Sequence, residues 1–180
     1  MMLLPSGLPV LVGDEEFLAR HIFSVNTSDL RTDKQGAVSA KASVFMPQPT
    51  AEGWLRSVSR IPGRTDDEAI QRDGQGVGSL GVPQRVLYAS ALLTAADIRS
   101  VPVANKDGKA LGHMDVVSEE PPPYHAHIVN YPALIERENP KELQKECAQN
   151  LADKVYRICL RVVPMEQWEL DEEAVRKEKK

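Results

Sequence analysis

The chain has 180 residues, 42% hydrophobic and 27% charged, which suits one folded domain with polar ends. A net charge of −4 and a pI near 5.6 remove any global field that would favour nucleic acid or an anionic membrane. The two cysteines, Cys147 and Cys159, have neither metal-type spacing nor a disulfide framework, so both are expected as reduced, buried thiols.

In chain order, residues 1–13 read as an N-terminal extension. They are apolar but carry no basic segment and are cut by Pro5 and Pro9, which argues against a secretory leader and leaves a cytoplasmic location as the expectation. Asp14 to Phe23 reads as a short helix, with Asp14, Glu15 and Glu16 in its first turn. Residues 24–40 read as loop, and Ala42 to Phe45 as a short strand. Trp54 to Ile61 is expected as a strand stopped by Pro62-Gly63. Thr65-Asp66-Asp67-Glu68 has the form of a capping box and opens a helix to about Arg72. The glycines that follow include Gly76-x-Gly78-x-x-Gly81, formally a dinucleotide pattern. A helix precedes it and Pro83 follows, so a flexible loop is expected instead.

Arg85 to Ser90 reads as a strand, and Thr94 opens one helical turn to Arg99. Ser100 to Val103 and Ala110 to Val117 read as strands about the turn Asn105-Lys106-Asp107-Gly108, where Asp-Gly tolerates positive φ. The prolines at 121–123 and 132 bound a further strand. Alternation there places His125, His127, Val129 and Tyr131 on one face and Tyr124, Ala126, Ile128 and Asn130 on the other. The strongest helix runs from Pro140 to about Tyr156, capped by Asn139, with Leu143, Cys147, Leu151 and Val155 as its apolar stripe. Ile158 to Val163 reads as a last strand. Residues 164–180 form a charged tail, in which Glu172/Arg176 and Glu173/Lys177 support a helix weakly. The fold expected is α+β: a small, mainly antiparallel sheet packed against one long C-terminal helix, with short helices earlier, in a single domain spanning 14–163.

Several of these segments carry a resemblance. Ala19-Arg20-His21-Ile22-Phe23-Ser24, the strand from Leu55 to Arg60, Leu87-Tyr88-Ala89 with Ala96-Asp97-Ile98-Arg99, and the His-Ala-x-Ile-Val-x-x-Pro run from His125 to Pro132 resemble a group of small bacterial proteins. The likeness spans roughly Ala19 to Val155 and implies no particular reaction. His127 falls where that group is variable and often polar. The order Arg60, Tyr88, Ser90 and a helical turn also resembles, in layout alone, ADP-ribosyltransferase-like domains, with Asp97 where their glutamate would stand.

Three kinds of site follow. For catalysis the candidates are Arg20, His21, Arg60, Tyr88 and His125, since histidine titrates near neutrality and arginine steadies developing negative charge. His113 and Asp115, on one face of one expected strand, with His125 or His127 beside them, would make a two-histidine, one-carboxylate metal set. For binding, Trp54, Tyr124, His125 and Tyr131 are contact candidates, with Trp168 as a further aromatic anchor. No nucleophile motif is present and no cofactor is implied. The function expected is that of a non-catalytic accessory or interaction protein of a bacterial multi-component system, with a protein partner. The alternative is an enzyme with a His/Arg site, either NAD-using or metal-dependent.

Overall fold

The structure is a computed structural model that describes residues 2–23, 29–63, 66–81, 84–105, 107–132 and 140–161. Its centre is an antiparallel sheet of seven strands. The strands are β1 (Phe17–Ile22), β4 (Gln48–Thr50), β5 (Gly53–Arg60), β6 (Ala89–Thr94), β9 (Asp115–Ser118), β10 (His125–Val129) and β11 (Arg157–Leu160). Their order is β11-β6-β1-β5-β10-β9, with β4 joined to β5. Two hairpins complete the strands, β2 (Leu30–Thr32) with β3 (Val38–Ala40) and β7 (Pro102–Ala104) with β8 (Ala110–His113). Among the described residues no helix is long and apolar enough to cross a membrane.

The expected helix at Asp14 to Phe23 is instead β1, a central strand. Both of its faces are covered: Leu18, Ala19, His21 and Ile22 are all buried. A strand buried on both sides loses the in–out alternation that marks a strand, and its apolar spacing then imitates a helix. The acids expected to favour a helix N-terminus are held in ion pairs, Asp14 with Arg99 and Glu16 with Arg60.

The expected sheet and long helix also need correction. The last helix, α3 (Pro140–Asp153), has 14 residues and does not cover the sheet. It packs on a 3-10 turn at Ala42–Phe45, which replaces the strand expected there, and on β3 and β7. The stripe Leu143, Cys147 and Leu151 is buried as expected, but the surface it meets belongs to that turn and those strands. The turn, with Val44 and Phe45, joins the larger apolar cluster on the first face of the sheet, beside Leu18, Ile22, Val58, Ala91, Ala126 and Ile128.

The opposite face carries α1 (Asp67–Ser79), where Ile70 packs with Ala19, Ile61, Leu92 and Cys159. Asp66 caps this helix by accepting from the Ala69 amide, while Thr65 lies outside the described residues, as do Asn139, Trp168 and the tail from 164. The glycine-rich run expected as a loop is the second half of α1. Gly74 and Gly78 are buried because they let the helix lie close to the sheet. A Cβ on Gly74 would stand 2.7 Å from His21 Nδ1, and one on Gly78 would stand 2.3 Å from the Arg85 carbonyl oxygen. At Gly76 the space is open. Gly78→Ala should therefore cost about 2 kcal/mol through overpacking against backbone, while Gly76→Ala should add roughly 0.5–1 kcal/mol through helix propensity. Urea unfolding of the two variants checks the opposite signs.

Other boundaries move for local reasons. Thr94 opens the turn α2 (Ala95–Arg99) with a reciprocal box to Asp97, as expected. The strand expected from Arg85 begins only at Ala89. The single strand expected from Ala110 to Val117 breaks at Met114, which is buried and donates its amide to the Val101 carbonyl. In β10 the expected faces hold from His125 to Val129, with Ala126 and Ile128 in the core. Asn130 has φ +65°, so the alternation ends there and Tyr131 turns into the core, its hydroxyl donating to the Phe45 carbonyl at 2.7 Å. The N-terminal stretch is docked: Val12 is buried, and the Pro9 carbonyl accepts from Arg60.

Candidate functional site

β5 pairs with β1 only at Leu18–Arg60 and Ala19–Ser59, and its first half pairs with β4 instead. The sheet therefore opens between the end of β1 and the start of β5. Arg20 from β1 and Arg56 from β5 flank that opening, and both donate through Nε to the Val44 carbonyl, at 3.2 and 2.8 Å. Arg85, on the segment leading into β6, lies with its guanidinium 4.5 Å from the centre of the Phe23 ring. These three arginines line a cleft of about 270 Å³. Ser57, Ser59, His125 and Gln48 also face it, while Val77 and Leu80 of the α1 end form one wall and Pro122 and Pro123 another.

The electrostatics are one-sided. Burial draws Arg20 down to about 9, and the positive fields of Arg56 and Arg85 add to the effect. Arg56 is lowered by burial too. Asp29, on the wall of an adjoining hollow shared by the same arginines, is the acidic group that partly offsets them. Among the described residues no carboxylate forms an ion pair with Arg20, Arg56 or Arg85. Such an arrangement can hold an anion by charge-assisted hydrogen bonds in a partly desolvated setting.

Behind the floor lies a polar ladder. His21, 3% exposed, meets Ser90 Oγ through Nδ1 at 2.8 Å, and its Nε2 is 3.1 Å from Ser59 Oγ and 3.2 Å from Asp73 Oδ2. Three partners thus fix the imidazole, and Ser59 connects it to the cleft. On β10, the His125 and His127 rings stand edge to face at 4.5 Å. Burial lowers His125, and the neighbouring His127 adds to that effect.

Compared with known proteins, the chain matches no family model, no curated protein and no solved structure.

Of the residues expected to act, Arg20 and His125 line the cleft and His21 lies beneath it. Arg60 lies elsewhere. It is 1% exposed, clasps Glu16 through Nε and Nη2 at 2.5 and 2.7 Å, and donates from Nη1 to the Pro9 carbonyl and Ser118 Oγ. Tyr88 and Trp54 pack against the core, Tyr131 is in it, and Tyr124 sits at φ +63° with its carbonyl accepting from the Arg60 amide.

The metal set does not assemble. His113 ends β8 while Asp115 begins β9 in a different sheet, paired with Arg99, and His127 is held by Glu119 at 2.6 Å. Among the described residues no group of three or more His, Cys, Asp or Glu side chains is placed to hold a metal ion.

Sequence reasoning missed Arg56, Arg85, Ser57 and Ser59. Only Arg56 carried a faint signal, as a second cation on a strand that also holds Arg60.

Proposed function

We propose that the protein works by recognition, binding an anionic group in the cleft of Arg20, Arg56 and Arg85. One observation carries the reading: two partly buried guanidiniums flank each other, engage the described residues only through Nε to one carbonyl, and face a hollow. Desolvating a charge costs several kcal/mol unless a counter-charge or hydrogen bonds compensate, so buried cations normally sit against carboxylates. Here the compensation is assigned to an incoming ligand. This gives the expected accessory or interaction protein a specific means of recognition.

A chain that reads its ligand and returns it unchanged also suits His21, whose ring is immobilised by Ser90, Ser59 and Asp73. The catalytic alternative rests on the same contact, since Ser59 reaches the cleft and the imidazole together.

The test is calorimetric titration of the full chain with inorganic phosphate and with sulfate, against sodium chloride at equal ionic strength. The expected result is saturable one-to-one binding and a thermal midpoint that climbs with phosphate or sulfate but not with chloride. A flat thermogram, or the same shift in chloride, overturns the reading. A phosphate monoester recovered intact after incubation keeps recognition as the function, and its hydrolysis would replace it with the catalytic alternative.

A further inference from the structure

We infer that the anion is the phosphate of a nucleoside monophosphate, seated with its phosphate at the arginines and its base between α1 and the Pro122-Pro123 segment. This rests on the anion-binding reading above and names the ligand class for the same cleft. The first support is charge. Among the described residues lining the hollow shared with Asp29, three guanidiniums against that one carboxylate leave two positive charges in excess, which a phosphate dianion balances and a carboxylate does not.

The second support is the order of chemistry along the groove. The hollow shared with Asp29 holds the arginines, and the main cleft adds the Ser57 and Ser59 hydroxyls and His125. A third hollow of about 580 Å³ continues past them and shares Val77, Leu80, Pro122 and Pro123 with the cleft. Cations, then hydroxyls and an imidazole, then aliphatic and proline surfaces match phosphate, sugar and base in sequence. A free phosphate would touch only the first zone, and hollows of this size belong to ligands with an organic body.

The third support is Leu80, which is 67% exposed on the wall common to both hollows. It presents apolar surface to water where a flat ring would cover it. Arg72, paired with Glu68 at 2.7 Å, also lines this hollow, where it would meet the polar edge of a base.

The experiment compares inorganic phosphate, ribose 5-phosphate, AMP, UMP and adenosine by calorimetry on the full chain, with Leu80→Ser as the variant. At least one of AMP and UMP should bind about tenfold or more tightly than inorganic phosphate, with ribose 5-phosphate between them and adenosine undetected. Leu80→Ser should bring the nucleotide down to the affinity of ribose 5-phosphate and lower that of inorganic phosphate far less, since its side chain is exposed and its loss spares the core. Nucleotides binding no better than phosphate, adenosine binding as well as AMP, or an unchanged nucleotide affinity in Leu80→Ser would each overturn the inference while phosphate binding stands. Failure of every anion to bind would instead remove the reading beneath it.

Discussion

Arg20→Met should weaken anion binding severely and at the same time raise the thermal midpoint. The guanidinium of Arg20 is partly buried at the open edge of the sheet, drawn down by burial and by the like charges of Arg56 and Arg85. Replacing a buried charge with an apolar side chain of similar volume is often stabilising, and about 1–2 kcal/mol is expected here. The only hydrogen bond it donates to the described residues is to the Val44 carbonyl, which keeps its shorter partner in Arg56. The affinity for phosphate should fall about 100-fold or more, because a desolvated charged contact contributes 2–5 kcal/mol to binding. Arg85→Met is the contrast: exposed and resting on Phe23, it should weaken binding with little change in the midpoint. Calorimetry and thermal unfolding on both variants decide the matter. A less stable Arg20→Met chain would show that this arginine serves the fold, and the cleft would then lose its main support.

Arg60→Met should be the most damaging single substitution of those considered. Four of its donor contacts are made, two to Glu16, one to the Pro9 carbonyl and one to Ser118, and the residue is 1% exposed. Removing it leaves a largely buried carboxylate and a carbonyl without partners, which costs about 3–5 kcal/mol. For a chain of this size each kcal/mol shifts the midpoint by about 2–4 °C, so a fall of roughly 10 °C is expected. The double variant Arg60→Met/Glu16→Gln should recover a good part of that loss, since the stranded charge is gone. Phosphate affinity measured below the lowered midpoint should match the parent chain. A drop in affinity as large as the one expected for Arg20→Met would bring Arg60 back into the site.

The two arginines show why like residues in similar strands separate into scaffold and site. Both were candidates from sequence, and both lie on strands at the middle of the sheet. Arg60 meets an acid delivered by the segment before β1, whereas Arg20 meets a carbonyl and two further cations. The difference lies in what other segments bring to each position.

Local chemistry was enough for the features that depend on neighbours in the chain. Proline bounds set β10, Pro62-Gly63 ended β5, Thr94 with Asp97 opened α2, and Gly108, whose amide donates to the Asn105 carbonyl, helped close the β7–β8 connection. The buried stripe of α3 was readable for the same reason, because periodicity is a property of a short window. Tertiary structure decided the rest. β1 became a strand because both its faces are covered, and the glycines of α1 stayed helical because the helix must lie against His21, Leu87 and Phe23. Arg20, Arg56 and Arg85 converge because β5 leaves β1 for β4 after two paired positions, a long-range register choice that no window of sequence contains.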